Sequence, residues 1–162
     1  MTTAADFYVD SECDEINELQ RDGATAIIDL AAIYKEYGTC NDLDLKAKVI
    51  GRMSDIQVRD FALGSHNEST IDVYWAMWAD LMEIAPRDFI APVATLHAAL
   101  SYEKGELAMA QESLDRAFAD DSTYSLAALL RRVFAAGWPP AAFASMRMEL
   151  HPKVCAGIFG YS

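Results

Sequence analysis

Apolar positions in this chain recur at intervals of about three to four residues from roughly residue 11 onward, the spacing that gathers side chains on one face of an α-helix. No useful stretch shows the two-residue alternation of a strand. Ser11 can cap a first helix, with Asp14 and Glu15 in its opening turn where the helix dipole favours negative charge, and Gly23 is expected to interrupt that helix early. Ile27, Leu30, Ala31 and Tyr34 then fit an amphipathic helix ending near Gly38. Asn41 or Asp42 caps the next one, which carries Leu45, Val49, Met53 and Ile56. Ser54-Asp55 either lies within that helix or breaks it before Val58, Phe61 and Ala62.

Beyond the polar stretch from Gly64 to Ser69, Ser69 or Thr70 caps a helix whose Ile71, Tyr74, Trp75, Trp78, Leu81, Met82 and Ala85 form one wide apolar stripe, and this helix is expected at the centre of the core. Pro86 ends it. Pro92 sits in the first turn of the next helix, which buries Val93, Leu96 and Leu100 before Gly105 turns the chain. Leu107, Ala110, Leu114, Ala117 and Phe118 line a following face; Asp120-Asp121-Ser122 breaks and recaps; Leu126, Leu129, Leu130, Val133 and Phe134 line another, stopped by Gly137. Trp138-Pro139-Pro140 leads into a short helix through Phe143 and Met146, and residues 151–162, with Val154, Ile158, Phe159 and Tyr161, read as an irregular apolar tail.

The expectation is an all-α single domain over residues 1–162, a bundle or array of about seven to eight helices. Residues 91–124 can be laid on the tetratricopeptide template, with a helix-turn-helix at residues 91–119. Ala98, Gly105, Ala110 and Ala117 fall where small residues let two antiparallel helices touch, and Leu114 falls at a bulky position. Only one unit fits, and an array needs about three to bury a continuous core, so this is one repeat-like hairpin and not a solenoid.

Particular words in the same region carry a family resemblance. Asp55-Ile56-Gln57-Val58-Arg59-Asp60, Ala91-Pro92 opening a helix, Gly105, Leu114-Asp115-Arg116-Ala117, Tyr124-Ser125-Leu126-Ala127 and Ala136-Gly137-Trp138-Pro139-Pro140 together resemble the C-terminal part of an actinobacterial family known as domain of unknown function 4192. The resemblance covers roughly residues 50–145. It implies a freestanding C-terminal half with its own acidic leader, divided as acidic N-terminal helices over 1–44, a family-like core over 45–150 and the tail over 151–162. It further implies an actinobacterial or mobile-element origin and no assigned activity.

Composition narrows the function classes. Hydrophobic residues at 52% and charged ones at 23% exclude a disordered chain. The N-terminus lacks a basic then apolar export signal, and no run approaches the roughly 18 apolar residues of a membrane span. Cys13, Cys40 and Cys155 are odd in number and widely spaced, which suits a reducing cytoplasm. The net charge is −12, and eleven of the acidic side chains lie in residues 1–44 against Arg21 and Lys35. Such a surface repels phosphate backbones, so direct nucleic-acid binding is not expected, whereas a basic protein partner is electrostatically suited to it.

Candidate chemistry is sparse. His66 lies in a loop, His97 on an apolar helix face and His151 beside Pro152, with nothing in sequence to pair them; His97 reads as a hydrogen-bonded packing residue. Asp10-Ser11-Glu12-Cys13-Asp14 starts like a calcium loop, but Glu15 stands where the loop needs glycine and Arg21 where it needs a bidentate acid. Asp120-Asp121 reads as a solvated turn, Arg59-Asp60 as a structural ion pair orienting helices, and Tyr74, Trp75 and Trp78 as core. No phosphate loop, His-Glu-x-x-His helix or nucleophile elbow is present, and no cofactor or metal is implied.

The leading expectation is a non-enzymatic helical protein-interaction module. Its binding surface is either the groove beside the hairpin or an acidic face carrying Asp10, Glu12, Asp14, Glu15, Glu18 and Asp22, and self-pairing through an apolar helix is also allowed. The alternative is an acidic decoy occupying the basic surface of a nucleic-acid-binding protein, and the third reading is an enzyme without recognisable motifs.

Overall fold

The structure, a computed structural model, describes residues 2–160, and among them every regular element is helical. A short 3-10 helix, Ala4–Phe7, precedes α1 (Ile16–Tyr37), α2 (Leu43–Arg52), α3 (Ile56–Gly64), α4 (Ile71–Ile84), α5 (Ile90–Glu103), α6 (Leu107–Asp120), α7 (Ser125–Ala135) and α8 (Pro140–Phe159). No helix among the described residues is long and apolar enough to cross a membrane.

The first helix departs from its expectation. It starts at Ile16, not after Ser11, and runs unbroken through Gly23. The glycine serves close packing: a Cβ there would sit 2.8 Å from Arg52 Cβ and 2.9 Å from Val58 Cγ2, so only glycine lets α1 approach α2 and α3 this closely. The question left open at Ser54-Asp55 resolves as two helices. Asp42 Oδ1 accepts the Leu45 N–H at 3.0 Å to cap α2, and Asp55 Oδ2 accepts the Val58 N–H at 3.0 Å to cap α3. Asp55 Oδ1 also accepts from Gln20 Nε2 at 3.2 Å, which ties this cap to α1 in a buried setting.

The helix expected at the centre is also displaced. α4 buries Met77, Trp78, Leu81 and Met82 but leaves Tyr74 and Trp75 half-buried, whereas α5 buries every residue from Ala91 to Tyr102. The cause is in the sequence of α5, which is small or apolar on all sides; a helix without a polar face is satisfied only when surrounded. α5 and α6 form an antiparallel hairpin turned at Gly105, whose φ of 80° lies in the left-handed region. Ala98, Ala110, Leu114 and Ala117 are fully buried along the hairpin.

The open end of the hairpin is closed by Asp120. Its carboxylate accepts N–H groups from Asp88 (2.8 Å), Ile90 (3.1 Å) and Ala91 (2.9 Å), capping α5 from the far end of α6. Asp88 is held at φ 76°, a left-handed conformation that a non-glycine residue adopts at a cost, and the bond to Asp120 offsets it. The expected solvated turn is therefore half right. Asp121 does close an exposed turn on Thr123, while Asp120 is a tertiary cap; Ser122 caps nothing, and α7 begins at Ser125 after Tyr124.

The tail expectation is corrected most. Residues 151–159 are helical, part of a 20-residue α8 that passes through Pro152 and closes at Gly160. Ile158 is fully buried and Val154, Cys155 and Phe159 pack on the core, so tertiary burial holds the last turns in helical form despite the proline. Pro152 is exposed and forfeits only the bond to the carbonyl of Met148, itself an exposed residue. Tyr161 lies outside the described residues.

Candidate functional site: a cleft over a buried ion-pair cluster

Three elements far apart in sequence meet at one buried charge cluster. His66 comes from the loop after α3, Glu103 is the last residue of α5, and Arg147 lies in the middle of α8. Arg147 grips Glu103 with two parallel hydrogen bonds, Nε to Oε2 at 2.6 Å and Nη2 to Oε1 at 2.7 Å, and its Nη1 donates to the His66 carbonyl at 2.8 Å. His66 Nε2 faces the same carboxylate at 3.2 Å. The three side chains are 0%, 5% and 2% exposed, deep enough that losing one partner leaves an uncompensated charge inside the protein.

Protonation states follow from the surroundings. Burial pushes the His66 imidazole below its usual range, the nearby Arg147 adds to this, and Glu103 opposes it. Burial works against the Glu103 carboxylate, yet hydrogen bonds from His66 and Arg147 hold it below the ordinary range. The cluster at neutral pH is thus an Arg147–Glu103 ion pair with a neutral His66 donating from Nε2, which leaves its buried Nδ1 without a partner.

Two hollows flank this cluster, and Arg147 touches both. One is a cleft of about 780 Å³ bounded by the loop at Asn67, the end of α5 at Lys104, and the α8 face of Ala141, Ala144 and Met148. Lys104 forms an ion pair with Asp72 and lies 4.8 Å from the Trp75 ring centre, so its ammonium is fixed at the rim. The other is an apolar pocket of about 230 Å³ among Leu63, Leu126, Leu129, Leu150 and Val154. Arg59 and Asp60 stand at its edge. Their expected pairing is present at 2.9 Å, and Arg59 also lies 5.8 Å over the ring of Tyr124, linking α3 to the start of α7.

The acidic candidates divide. Asp10, Glu12, Asp14, Glu15 and Glu18 are exposed before and at the start of α1, and among the described residues no cation pairs with them. Asp22 does not belong with them: Lys48 at 3.1 Å and Arg52 at 2.9 Å engage it, and against the opposing effect of burial they hold its carboxyl below the ordinary range. It is an internal clamp between α1 and α2. Arg52 also donates to the Phe7 carbonyl at 3.0 Å, so the same cation fastens the N-terminal segment over α2.

The remaining histidines are built for packing. His97 stacks on Trp75 with 5.9 Å between ring centres and pairs through Nδ1 with Ser113 Oγ at 2.6 Å; burial, with a contribution from Arg116, pushes it down to about 4. It lines neither hollow. His151 Nε2 lies 3.4 Å from Cys155 Sγ, but burial lowers the imidazole and raises the thiol, the reverse of an activated thiolate pair. Among the described residues no group of three or more His, Cys, Asp or Glu side chains is arranged to hold a metal ion.

Sequence reasoning missed the cluster. Glu103 is adjacent to Lys104 and Arg147 lies two residues from Glu149, so neither charge stands out along the chain, and their partnership spans 44 positions. No local spacing in the sequence singles out either charge as the partner of the other.

Comparison with known proteins agrees with the earlier resemblance and extends it. The sequence model of one family, described as a domain of unknown function (DUF4192), matches residues 3–141. The match starts ahead of the acidic leader, so that leader lies inside the family region and does not precede it, and α8 falls almost wholly beyond its end. No curated protein and no solved structure matches the chain. An all-helical domain whose match covers most of its length is thereby placed: the chain belongs to the DUF4192 family, whose description assigns no activity.

Proposed function

We propose that this chain is a non-enzymatic helical binding module that accepts a segment of another protein in the cleft beside the end of the α5–α6 hairpin. The observation carrying this reading is the cleft itself. At about 780 Å³ it falls within the size range of ligand sites, and its wall is stiffened by the buried Arg147–Glu103 pair. Its apolar surface at Ile71, Ala144 and Met148 suits side-chain burial. Filling the cleft by Ala144→Trp is expected to abolish retention of a partner captured from nuclease-treated host lysate and washed at high salt, with the helical circular dichroism unchanged. Full retention by the filled variant refutes the cleft as the docking site.

A second reading is favoured by a different observation, the five exposed carboxylates at Asp10, Glu12, Asp14, Glu15 and Glu18. In that reading the chain is an acidic decoy for a basic surface. Lysine substitutions at Asp10, Glu12, Asp14 and Glu18 then abolish capture, the complex dissociates as salt shortens the screening length, and Ala144→Trp has no effect.

A further inference from the structure

α7 and α8 follow one another in the chain, yet each packs on other helices. α7 leans on α5 and α6, and α8 on α3, α1 and α5, which leaves a furrow between them with α3 at its floor. The apolar pocket of about 230 Å³ lies in that furrow. Its volume limits what it can take. Sites for whole small molecules run from about 300 Å³ upward, so this one has room for branched side chains but not for a whole ligand.

The lips of the furrow are apolar and open. Leu129 of α7 is 40% exposed and Leu150 of α8 is 55% exposed, whereas Leu126 and Val154 beside them pack inward. Each lip has the same local order: a leucine is followed one turn later by a cation, Leu129 by Arg132 and Leu150 by Lys153, a spacing that keeps the two on one side of the helix. Both cations are exposed, and among the described residues neither lies within ion-pair distance of a carboxylate.

The other charges around the furrow are already engaged. Arg59 holds Asp60 at 2.9 Å, and Glu103 holds Arg147. α7 carries no acidic residue, and the one acid of α8 is Glu149. Arg131, the other cation of α7, rests over the Phe118 ring of α6 at 4.6 Å. A chain of net charge −12 thus presents a furrow that is locally basic. Salt keeps the effect local. With a screening length of about 8 Å at physiological ionic strength, a ligand seated between Arg132 and Lys153 senses those cations more than the net charge of the molecule.

We propose that the furrow between α7 and α8 is an interaction surface for an acidic amphipathic helix of another protein. A helix suits it because two helices frame it, and a third laid along them repeats the packing used throughout the domain. Apolar side chains of that helix enter the pocket, and its flanking carboxylates meet Arg132 and Lys153. The contact is small, so the complex is transient and salt weakens it. The site is separate from the cleft on the other flank of α8 and does not depend on that cleft binding anything.

The probe is a labelled synthetic peptide of about 18 residues, held helical by a lactam bridge, with leucines along one face and glutamates beside them. Fluorescence anisotropy with the full chain at physiological salt is expected to show saturable binding, although net charge alone would repel the peptide. Leu129→Ala with Leu150→Ala, both at exposed positions, is expected to weaken binding by about tenfold. Arg132→Glu with Lys153→Glu is expected to weaken it by about tenfold or more, while Arg21→Glu with Lys35→Glu on α1, the same change in net charge, leaves it within about twofold. Circular dichroism checks the fold of each variant, and Ala144→Trp, which fills the cleft, leaves peptide binding unchanged. Absence of saturable binding overturns the proposal. So does an equal loss from both charge reversals, and so does binding that survives the leucine substitutions in folded protein. Light scattering covers the other occupant: self-association that the leucine substitutions abolish assigns the furrow to a second copy and overturns the acidic partner.

Discussion

α5 and α8 are both rich in apolar residues and both close on a left-handed glycine, yet the fold uses them in opposite ways. α5 is buried from Ala91 to Tyr102 and touches neighbours all round, whereas α8 has three buried anchors and a hollow on each flank. The difference shows that stability here is set by how many sides of a helix are covered more than by how apolar the helix is. α5 should open only when the whole domain unfolds, while α8 should open on its own.

The sharpest way to break that comparison is a cavity in α5. Leu96→Ala removes a fully buried side chain and is expected to cost about 3 to 5 kcal/mol, seen as a lower urea midpoint with an unchanged slope. A loss confined to hydrogen exchange in one helix, with the midpoint unmoved, contradicts the central role of α5.

Acid provides the next test. His97 has a folded value of about 4 against the ordinary 6.5, so the unfolded chain binds the extra proton between those values. Its contribution is intact above about pH 6.5 and falls as pH drops toward 4, at about 1.4 kcal/mol per unit and on the order of 3 kcal/mol over the window. Urea midpoints at several pH values should slope less in His97→Gln than in the native chain.

The smallest expected global effect comes from α8. Arg147→Met keeps much of the packing but leaves Glu103 buried without its cation, a penalty of about 3 kcal/mol if α8 stayed docked. Release of α8 exposes Glu103 to water and caps the loss. Hydrogen exchange along residues 141–159 should accelerate by tenfold or more while α5 amides keep native protection. Equal acceleration in both helices would falsify the idea that α8 opens separately.

What was legible in the sequence was what is local. Asp42 caps the residues that follow it, Gly105 turns the hairpin between its own helices, and the alanines of α5 and α6 meet where their spacing placed them. Errors arose where a residue's meaning depends on a distant surface. Gly23 looks like a helix breaker until α2 and α3 press against it, and Pro152 looks like a stop until Ile158 is seen buried beyond it. The charge cluster was hidden for the same reason, since His66 joins Glu103 across 37 positions and Arg147 across 81. The all-helical class and the family resemblance survived because neither needs such contacts.

The bond set at Asp120 has a consequence for how the chain is made. It closes the hairpin between groups only 29 to 32 positions apart, a short loop with a small closure cost, so α5 and α6 can complete one another without the rest of the domain. The four helices before them gather on α1, which packs against α2, α3 and α4, while α3 and α4 reach α5. The domain therefore holds two locally closed groups of helices, one around α1 and one at the hairpin, joined chiefly where α4 packs on α5.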